Sequence, residues 1–158
     1  MDKKPITPEG QKKLRSELDQ LKNIKRQEII DAISEARAHG DLKENAEYHA
    51  AREEQGLNEA RIRELEEVLS LSTIVDYKGL GVTDRVIFGS TVTILDLESD
   101  KQNTYQIVGE SEANIDANTI SLTTPIARSL LKKEVGDIVE VSTPGGVKEV
   151  EILEIKLV

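Results

Sequence analysis

The chain has 158 residues, of which 37% are hydrophobic, 32% are charged and only 3% are aromatic. Its formal net charge of -9 opposes attachment to phosphate backbones, because that binding depends on lysine and arginine displacing counterions, and so argues against a free-standing DNA-binding protein. The absence of cysteine excludes disulfides and thiolate metal sites, and the scarcity of aromatic residues argues against an aromatic-lined ligand pocket.

The composition changes near residue 75, which predicts two domains, residues 1–75 and residues 76–158. Val, Ile and Thr account for 11 of the first 75 residues and for 27 of the remaining 83. Such β-branched side chains favour the pleated surface of a strand. We therefore expect an α+β protein in which a helical half precedes a β-rich half.

The first half opens with a helix-start signal, Thr7 as the cap followed by Pro8. Apolar residues then recur at close to helical spacing in two stretches. They are Leu14, Leu18, Leu21, Ile24, Ile29, Ile33 and Ala36, and then Ala46, Ala50, Leu57, Ala60, Leu65, Val68 and Leu69. The spacing predicts two long amphipathic helices.

Between the two stretches lies Gly40, which is followed by Asp41 and, three residues later, by Glu44. Asp with Glu at this spacing is a capping-box pattern that starts a new helix. An alternative is a dimeric coiled coil in which Gly40 interrupts one long helix, at a cost of only about 1 kcal/mol. The adjacent stop and start signals favour an antiparallel coiled-coil hairpin with its tip at about residues 39–45.

The second half contains runs that predict strands separated by turns: 85–88, 91–97, 104–108, 120–123, 138–141 and 149–157. Thr124 followed by Pro125 predicts a short helix that continues through Leu131 and ends before Gly136. A small α+β domain follows from this order of elements.

Asp41 and Glu44 are the candidate functional carboxylates. Their oxygens suit Mg²⁺, which prefers six near-octahedral oxygen ligands, so two carboxylates make a partial site that a partner must complete. Capping of the second helix explains the same two residues without any metal. Arg37 and Arg52 flank the tip, and we expect them at similar heights as a local basic spot, or else as solvated helix surface paired with Glu.

The remaining sequence has no Gly-rich phosphate loop, Ser/His/Asp set or nucleophile elbow, which gives a self-contained enzyme little support. It also has no apolar run of signal-peptide length and no stretch of 18 consecutive apolar residues. We expect a soluble cytoplasmic protein that does not contact a membrane.

Residues 35–53, with the sequence EARAHGDLKENAEYHAARE, resemble the hairpin tip of the GreA/GreB family of bacterial transcript cleavage factors. The resemblance continues through residues 86–93, 105–109, 125–128 and 135–137. It implies an antiparallel coiled coil over residues 1–75 and, over residues 76–158, a domain similar in fold to FKBP prolyl isomerases.

The resemblance also implies a partner, bacterial RNA polymerase, and a monomeric factor with no cofactor of its own. In the family, the C-terminal domain docks at the rim of the polymerase secondary channel, and we expect Pro125 and Ile126 in that contact. The hairpin reaches the active site of a backtracked complex, so the factor activates the polymerase and is not itself an enzyme.

The resemblance assigns a role to each residue at the tip. Asp41 and Glu44 match the acidic residues that help hold the second Mg²⁺ of the polymerase active site, where the nascent RNA 3′ end is hydrolysed. Arg37 and Arg52 match a basic spot that contacts that RNA end.

Three other functions compete with transcript cleavage. A prolyl isomerase with a helical appendage is disfavoured because the second half has only Tyr77, Phe88 and Tyr105 for an apolar pocket. A coiled-coil adaptor would use the tip carboxylates as caps only. A polymerase inhibitor of the same family would change the tip acids, which are present here at Asp41 and Glu44.

Overall fold

The computed structural model describes residues 3–40, 45–78 and 84–157. Asp41 and Glu44 lie outside the described residues. The chain packs as two compact units, one formed by Gln11–Leu71 and the other by Met1–Gly10 together with Ser72–Val158. The predicted boundary near residue 75 cuts the chain once along its sequence. In the structure, residues 1–10 instead pack with residues 72–158.

The helices of the first half form as predicted. They are α1 (Pro8–Gln20), a π-helical turn (Leu21–Lys25), α2 (Arg26–Arg37) and α3 (Ala46–Ser70). The Thr7 hydroxyl accepts a hydrogen bond from the Gly10 amide at 3.0 Å, which confirms the predicted helix start.

Contacts across the helical unit run antiparallel. The Asn58 side chain donates to the Leu21 carbonyl at 3.3 Å, and the Asn45 side chain donates to the Ala36 carbonyl at 2.6 Å. Residue numbers therefore rise along one arm as they fall along the other. The alternative of one uninterrupted helix is wrong, because the chain turns back between Ala36 and Asn45.

The predicted apolar stripes are only partly buried. Ile24 is 56% exposed and Leu57 is 68% exposed, although both belong to the predicted stripes. The π-helical turn that contains Ile24 places more residues in a turn than an α-helix does, and so shifts the phase of the buried face. Among the described residues of this unit, the buried side chains are Leu14, Ile29, Ala36, Ala51, Asn58, Ile62 and Leu65.

The other unit contains a two-stranded and a five-stranded sheet. Strands β1 (Lys4–Ile6) and β2 (Ser72–Ile74) pair in parallel. The larger sheet has the order β5-β4-β3-β7-β6, with β4 and β5 parallel and the other pairs antiparallel. Its strands are β3 (Thr91–Asp96), β4 (Gln102–Val108), β5 (Thr119–Ser121), β6 (Ile138–Thr143) and β7 (Gly146–Lys156).

Five of the six predicted strands are confirmed, and so is the α+β class. Residues 85–88 do not form a strand, since only an isolated bridge joins Arg85 to Glu134. The short helix α4 (Pro125–Leu130) forms as predicted and buries Ala127 and Leu130 in the core of the sheet. Among the described residues, no helix has the length and apolar character needed to cross a bilayer.

Candidate functional site

The first arm of the hairpin ends in a tight turn. After α2, the His39 amide donates to the Ala36 carbonyl at 3.1 Å and the Gly40 amide donates to the Arg37 carbonyl at 3.4 Å. Gly40 has a φ of +114°, a backbone conformation that L side chains rarely adopt. The predicted stop at Gly40 is confirmed.

The second arm begins at Ala46, and its N-cap is Asn45. Asn45 has extended backbone angles, and its Oδ1 accepts a hydrogen bond from the Tyr48 amide at 3.0 Å. The prediction that Asp41 caps this helix is wrong, because the helix begins four residues later than the capping-box pattern indicated. Asn45, and not Asp41, therefore supplies the N-cap of α3.

The Asn45 side chain also joins the two arms. Its Nδ2 donates to the carbonyl of Ala36, a residue that is 2% exposed at the end of α2. The eight residues 37–44 connect these two anchor points, and they include Asp41 and Glu44. The hairpin thus brings together both ends of the segment that carries the candidate carboxylates.

Arg37 and Arg52 are both exposed, but the structure does not place them at the same height. Arg37 is the last residue of α2, next to the level where Ala36 meets Asn45. Arg52 lies seven residues beyond Asn45, which corresponds to about two helical turns or about 10 Å along the arm. The Arg52 guanidinium donates to Gln55 Oε1 within the same helix, at 3.3 Å.

Pro125 and Ile126 begin helix α4 in the other unit. The Thr124 hydroxyl caps this helix by accepting from the Ala127 amide at 3.2 Å. Pro125 is exposed, whereas Ile126 is half-buried and packs against the core of the sheet. Of the two, Pro125 exposes more of its side chain to solvent.

Ion pairs hold the two arms of the hairpin together. Arg26 makes two hydrogen bonds to the Glu59 carboxylate, at 3.0 and 2.8 Å, and Arg61 makes two to the Glu17 carboxylate, at 2.7 and 3.1 Å. These bonds hold the pKa values of the Glu17 and Glu59 carboxyls below their ordinary range. Within residues 3–40, 45–78 and 84–157, no three His, Asp or Glu side chains gather as a metal site.

Comparison with known proteins covers both halves of the chain. Residues 4–74 match the family profile for the N-terminal part of transcription elongation factors, and residues 81–157 match the profile for the C-terminal part of transcription elongation factors GreA and GreB. The chain belongs to the GreA/GreB family. The resemblance of residues 35–53 is thereby confirmed at the level of the family.

Curated members of the GreA/GreB family match nearly the full length. The transcription elongation factor GreA of Pasteurella multocida is 54% identical, with 96% of each chain covered. That of Alkalilimnicola ehrlichii is 53% identical with 99% of each chain covered, and that of Francisella tularensis subsp. novicida is 51% identical over 98% of this chain and 97% of its own. Among solved structures, the GreA factor homolog 1 protein of Thermus thermophilus is 29% identical, with a TM-score of 0.44 and coverage of 97% of this chain and 98% of its own.

In this GreA/GreB chain, the residue that sequence reasoning missed at the tip is Asn45. Asn is among the preferred N-cap residues, and it directly precedes Ala46 and Glu47, so a signal was present. The capping-box pattern of Asp41 and Glu44 predicted an earlier helix start, and Asn45 was therefore not considered as the cap. The bond from Asn45 to Ala36 had no signal in the sequence, because it depends on the two arms folding together.

Proposed function

We propose that this chain is a transcription elongation factor that binds bacterial RNA polymerase and stimulates cleavage of the nascent RNA 3′ end in backtracked, arrested complexes. The hairpin enters the secondary channel, and the polymerase carries out the cleavage. The observation that carries the proposal is the antiparallel hairpin whose connecting segment, residues 37–44, contains Asp41 and Glu44.

The dimensions of the hairpin suit this task. Helix α3 has 25 residues, which corresponds to about 37 Å at about 1.5 Å per residue. Two arms of this kind can carry side chains at their end into a deep, narrow channel. The ion pairs of Glu17 and Glu59 hold the arms together along that length.

Asp41 and Glu44 supply carboxylate oxygens to the polymerase active site. Their chemistry fits Mg²⁺, but two carboxylates cannot complete six oxygen ligands, so the chain has no metal cofactor of its own and shares the ion of the polymerase. When bound there, a second Mg²⁺ lowers the pKa of a coordinated water and stabilises developing negative charge. Since Asn45 caps α3, these two acids are not required for that cap.

The other predicted residues support binding. Arg37 stands at the end of the first arm, where its cation meets the displaced RNA 3′ end, and Arg52 contacts the same strand about two turns along the arm. Pro125 contacts the polymerase from the second unit, and Ile126 supports that contact by anchoring α4 to the core. A monomer acting in the cytoplasm suffices for these roles.

The test is a double variant, Asp41→Asn with Glu44→Gln, added to a stalled, backtracked elongation complex. The amides keep the size of the side chains but bind Mg²⁺ far more weakly than carboxylates do. We expect the variant to compete with the parent for polymerase, to melt within a few degrees of it and to release no short 3′ RNA fragments. A matched control, Glu28→Gln with Glu53→Gln, removes the same charge from the exposed arms and should stimulate cleavage like the parent.

Three results would contradict the proposal. Cleavage by the double variant would show that the carboxylates do not act in the chemistry. A parent chain that occupies the polymerase and slows it without cleavage would be a channel-binding inhibitor. If the parent chain has no affinity for polymerase, the remaining candidate function is that of a coiled-coil adaptor.

A further inference from the structure

We infer that Asn45 is a positioning residue for transcript cleavage, through the bridge that its side chain makes between the two arms of the hairpin. The inference rests on the proposed function. This role does not require Asn45 itself to contact RNA or metal. It fixes the point at which the chain leaves the tip segment and enters α3.

The bridge uses both ends of one amide group. Nδ2 donates to the Ala36 carbonyl at 2.6 Å, and Oδ1 accepts from the Tyr48 amide at 3.0 Å. An N-cap needs only the acceptor, which Asp or Ser supplies equally well. The bond to Ala36 needs a donor that reaches across to α2, and among common cap residues Asn has it whereas Asp does not.

The bond between Asn45 and Ala36 lies next to the residues of the tip in the chain. Glu44 is joined to Asn45 by a peptide bond, and the bond to Ala36 closes the eight-residue connection that also holds Asp41. In general, a chain segment held at both ends samples fewer conformations than a segment held at one end. Carboxylates that must meet an ion inside another protein require such restriction, because a misplacement of about 1 Å can reduce a rate by about a hundredfold.

The folding of the hairpin does not depend on this bridge. The arms are held farther along by the buried side chains of Ile29, Ile62 and Leu65 and by the ion pair of Arg26 with Glu59. Loss of the Nδ2 donor should therefore leave the hairpin folded and able to bind. Only the placement of the tip should change.

Two variants of the full chain separate the bridge from the cap. Asn45→Asp and Asn45→Ser both retain an N-cap and both lose the amide donor, but only the first adds a charge. Cleavage of backtracked complexes is measured against factor concentration, which yields the half-saturating concentration and the maximal rate separately. Asn23→Asp, an exposed position in the π-helical turn, is the control for the added charge.

We expect both variants of Asn45 to lower the maximal cleavage rate by about tenfold or more, with the half-saturating concentration within about twofold of the parent. Exchange of the Tyr48 amide should stay slow in both, which verifies the cap, and Asn23→Asp should behave like the parent. A parent-like maximal rate in either variant of Asn45, or a loss confined to the half-saturating concentration, would overturn the positioning role while leaving the proposed function intact. A parent chain that stimulates no cleavage would overturn both.

Discussion

At the scale of single residues, Tyr77 and Gly89 pack closely against each other in the sheet-containing unit. Tyr77 is 1% exposed, and Gln106 Nε2 donates both to the Tyr77 hydroxyl at 3.0 Å and to the Gly89 carbonyl at 3.1 Å. Gly89 has a φ of +88°, and a Cβ added there would overlap the Tyr77 ring. Two separate constraints, backbone conformation and space, therefore require glycine at this position.

We predict that Gly89→Ala lowers the free energy of unfolding by about 2 kcal/mol or more, because the left-handed backbone and the overlap with Tyr77 both oppose a side chain. Gly56→Ala is the matched control, since Gly56 lies in α3 with open space around it. Alanine there should raise stability by about 0.5 to 1 kcal/mol. Urea unfolding of both variants measures the contrast, and equal changes in the free energy of unfolding would contradict the constraint that the Tyr77 ring places on position 89.

At the scale of the helical arms, charge pairs supplement a narrow apolar seam. Glu17 with Arg61 and Glu59 with Arg26 each form two parallel hydrogen bonds between α3 and the first arm. Their side chains are between 37% and 41% exposed, so solvent screening limits what each pair contributes to stability. Their geometry nevertheless specifies which residues of the two arms face each other.

We predict that the helical arms lose stability in acid. The pKa of the Glu17 carboxyl is lowered from 4.5 by its hydrogen bonds from Arg61, so the unfolded chain takes up a proton at higher pH than the folded chain does. The stabilisation is present above about pH 4.5 and is lost as the pH falls through the lowered pKa. Thermal melts of the parent and of Glu17→Gln between pH 7 and pH 3 measure this, and the difference between them should shrink in acid.

Glu53→Gln is the control for that series, because Glu53 is an exposed residue of α3, the helix that carries Arg61. Its difference from the parent should be smaller than that of Glu17→Gln at neutral pH. A difference for Glu17→Gln that stays constant with pH would contradict the role given to its ion pair.

At the scale of the whole molecule, Glu112 joins parts of the chain that are 105 residues apart. Its carboxylate accepts hydrogen bonds from the Thr7 amide at 2.8 Å, from the Thr7 hydroxyl and from the Gly109 amide at 2.9 Å. Thr7 is 2% exposed, so its polar groups need these partners. These bonds hold Thr7 within the unit that contains the five-stranded sheet.

We predict that Glu112→Ala lowers the free energy of unfolding by about 1 to 3 kcal/mol, because it leaves the buried amide of Thr7 without an acceptor. Hydrogen exchange at the Thr7 and Gly109 amides should become faster by a larger factor than exchange in strand β3. Glu110→Ala is the control, since the Glu110 side chain makes only an exposed ion pair with Lys4 among the residues that the structure describes. Equal effects of the two substitutions would show that the Glu112 contacts do not anchor the start of the chain.

Local signals in the sequence determined much of this protein. The cap at Thr7, the stop at Gly40 and the start of α4 after Thr124 were each predicted, because capping and backbone preference involve residues only a few positions apart. Alternating β-branched runs likewise predicted five strands. Asp41 and Glu44 were found as candidates from residue type and resemblance alone.

The tertiary structure decided what depends on partners distant in the chain. Asn45 caps α3 in place of Asp41 and bonds to Ala36. Because Asn45 lies level with Ala36, Arg52 falls about two helical turns away from Arg37 along the arm. Strands β1 and β2, of three residues each, pair across 68 positions of sequence and carry too short a pattern to detect. In each case the deciding contact forms only when the chain has folded, since the free energy of a long-range pair depends on which residues packing brings together.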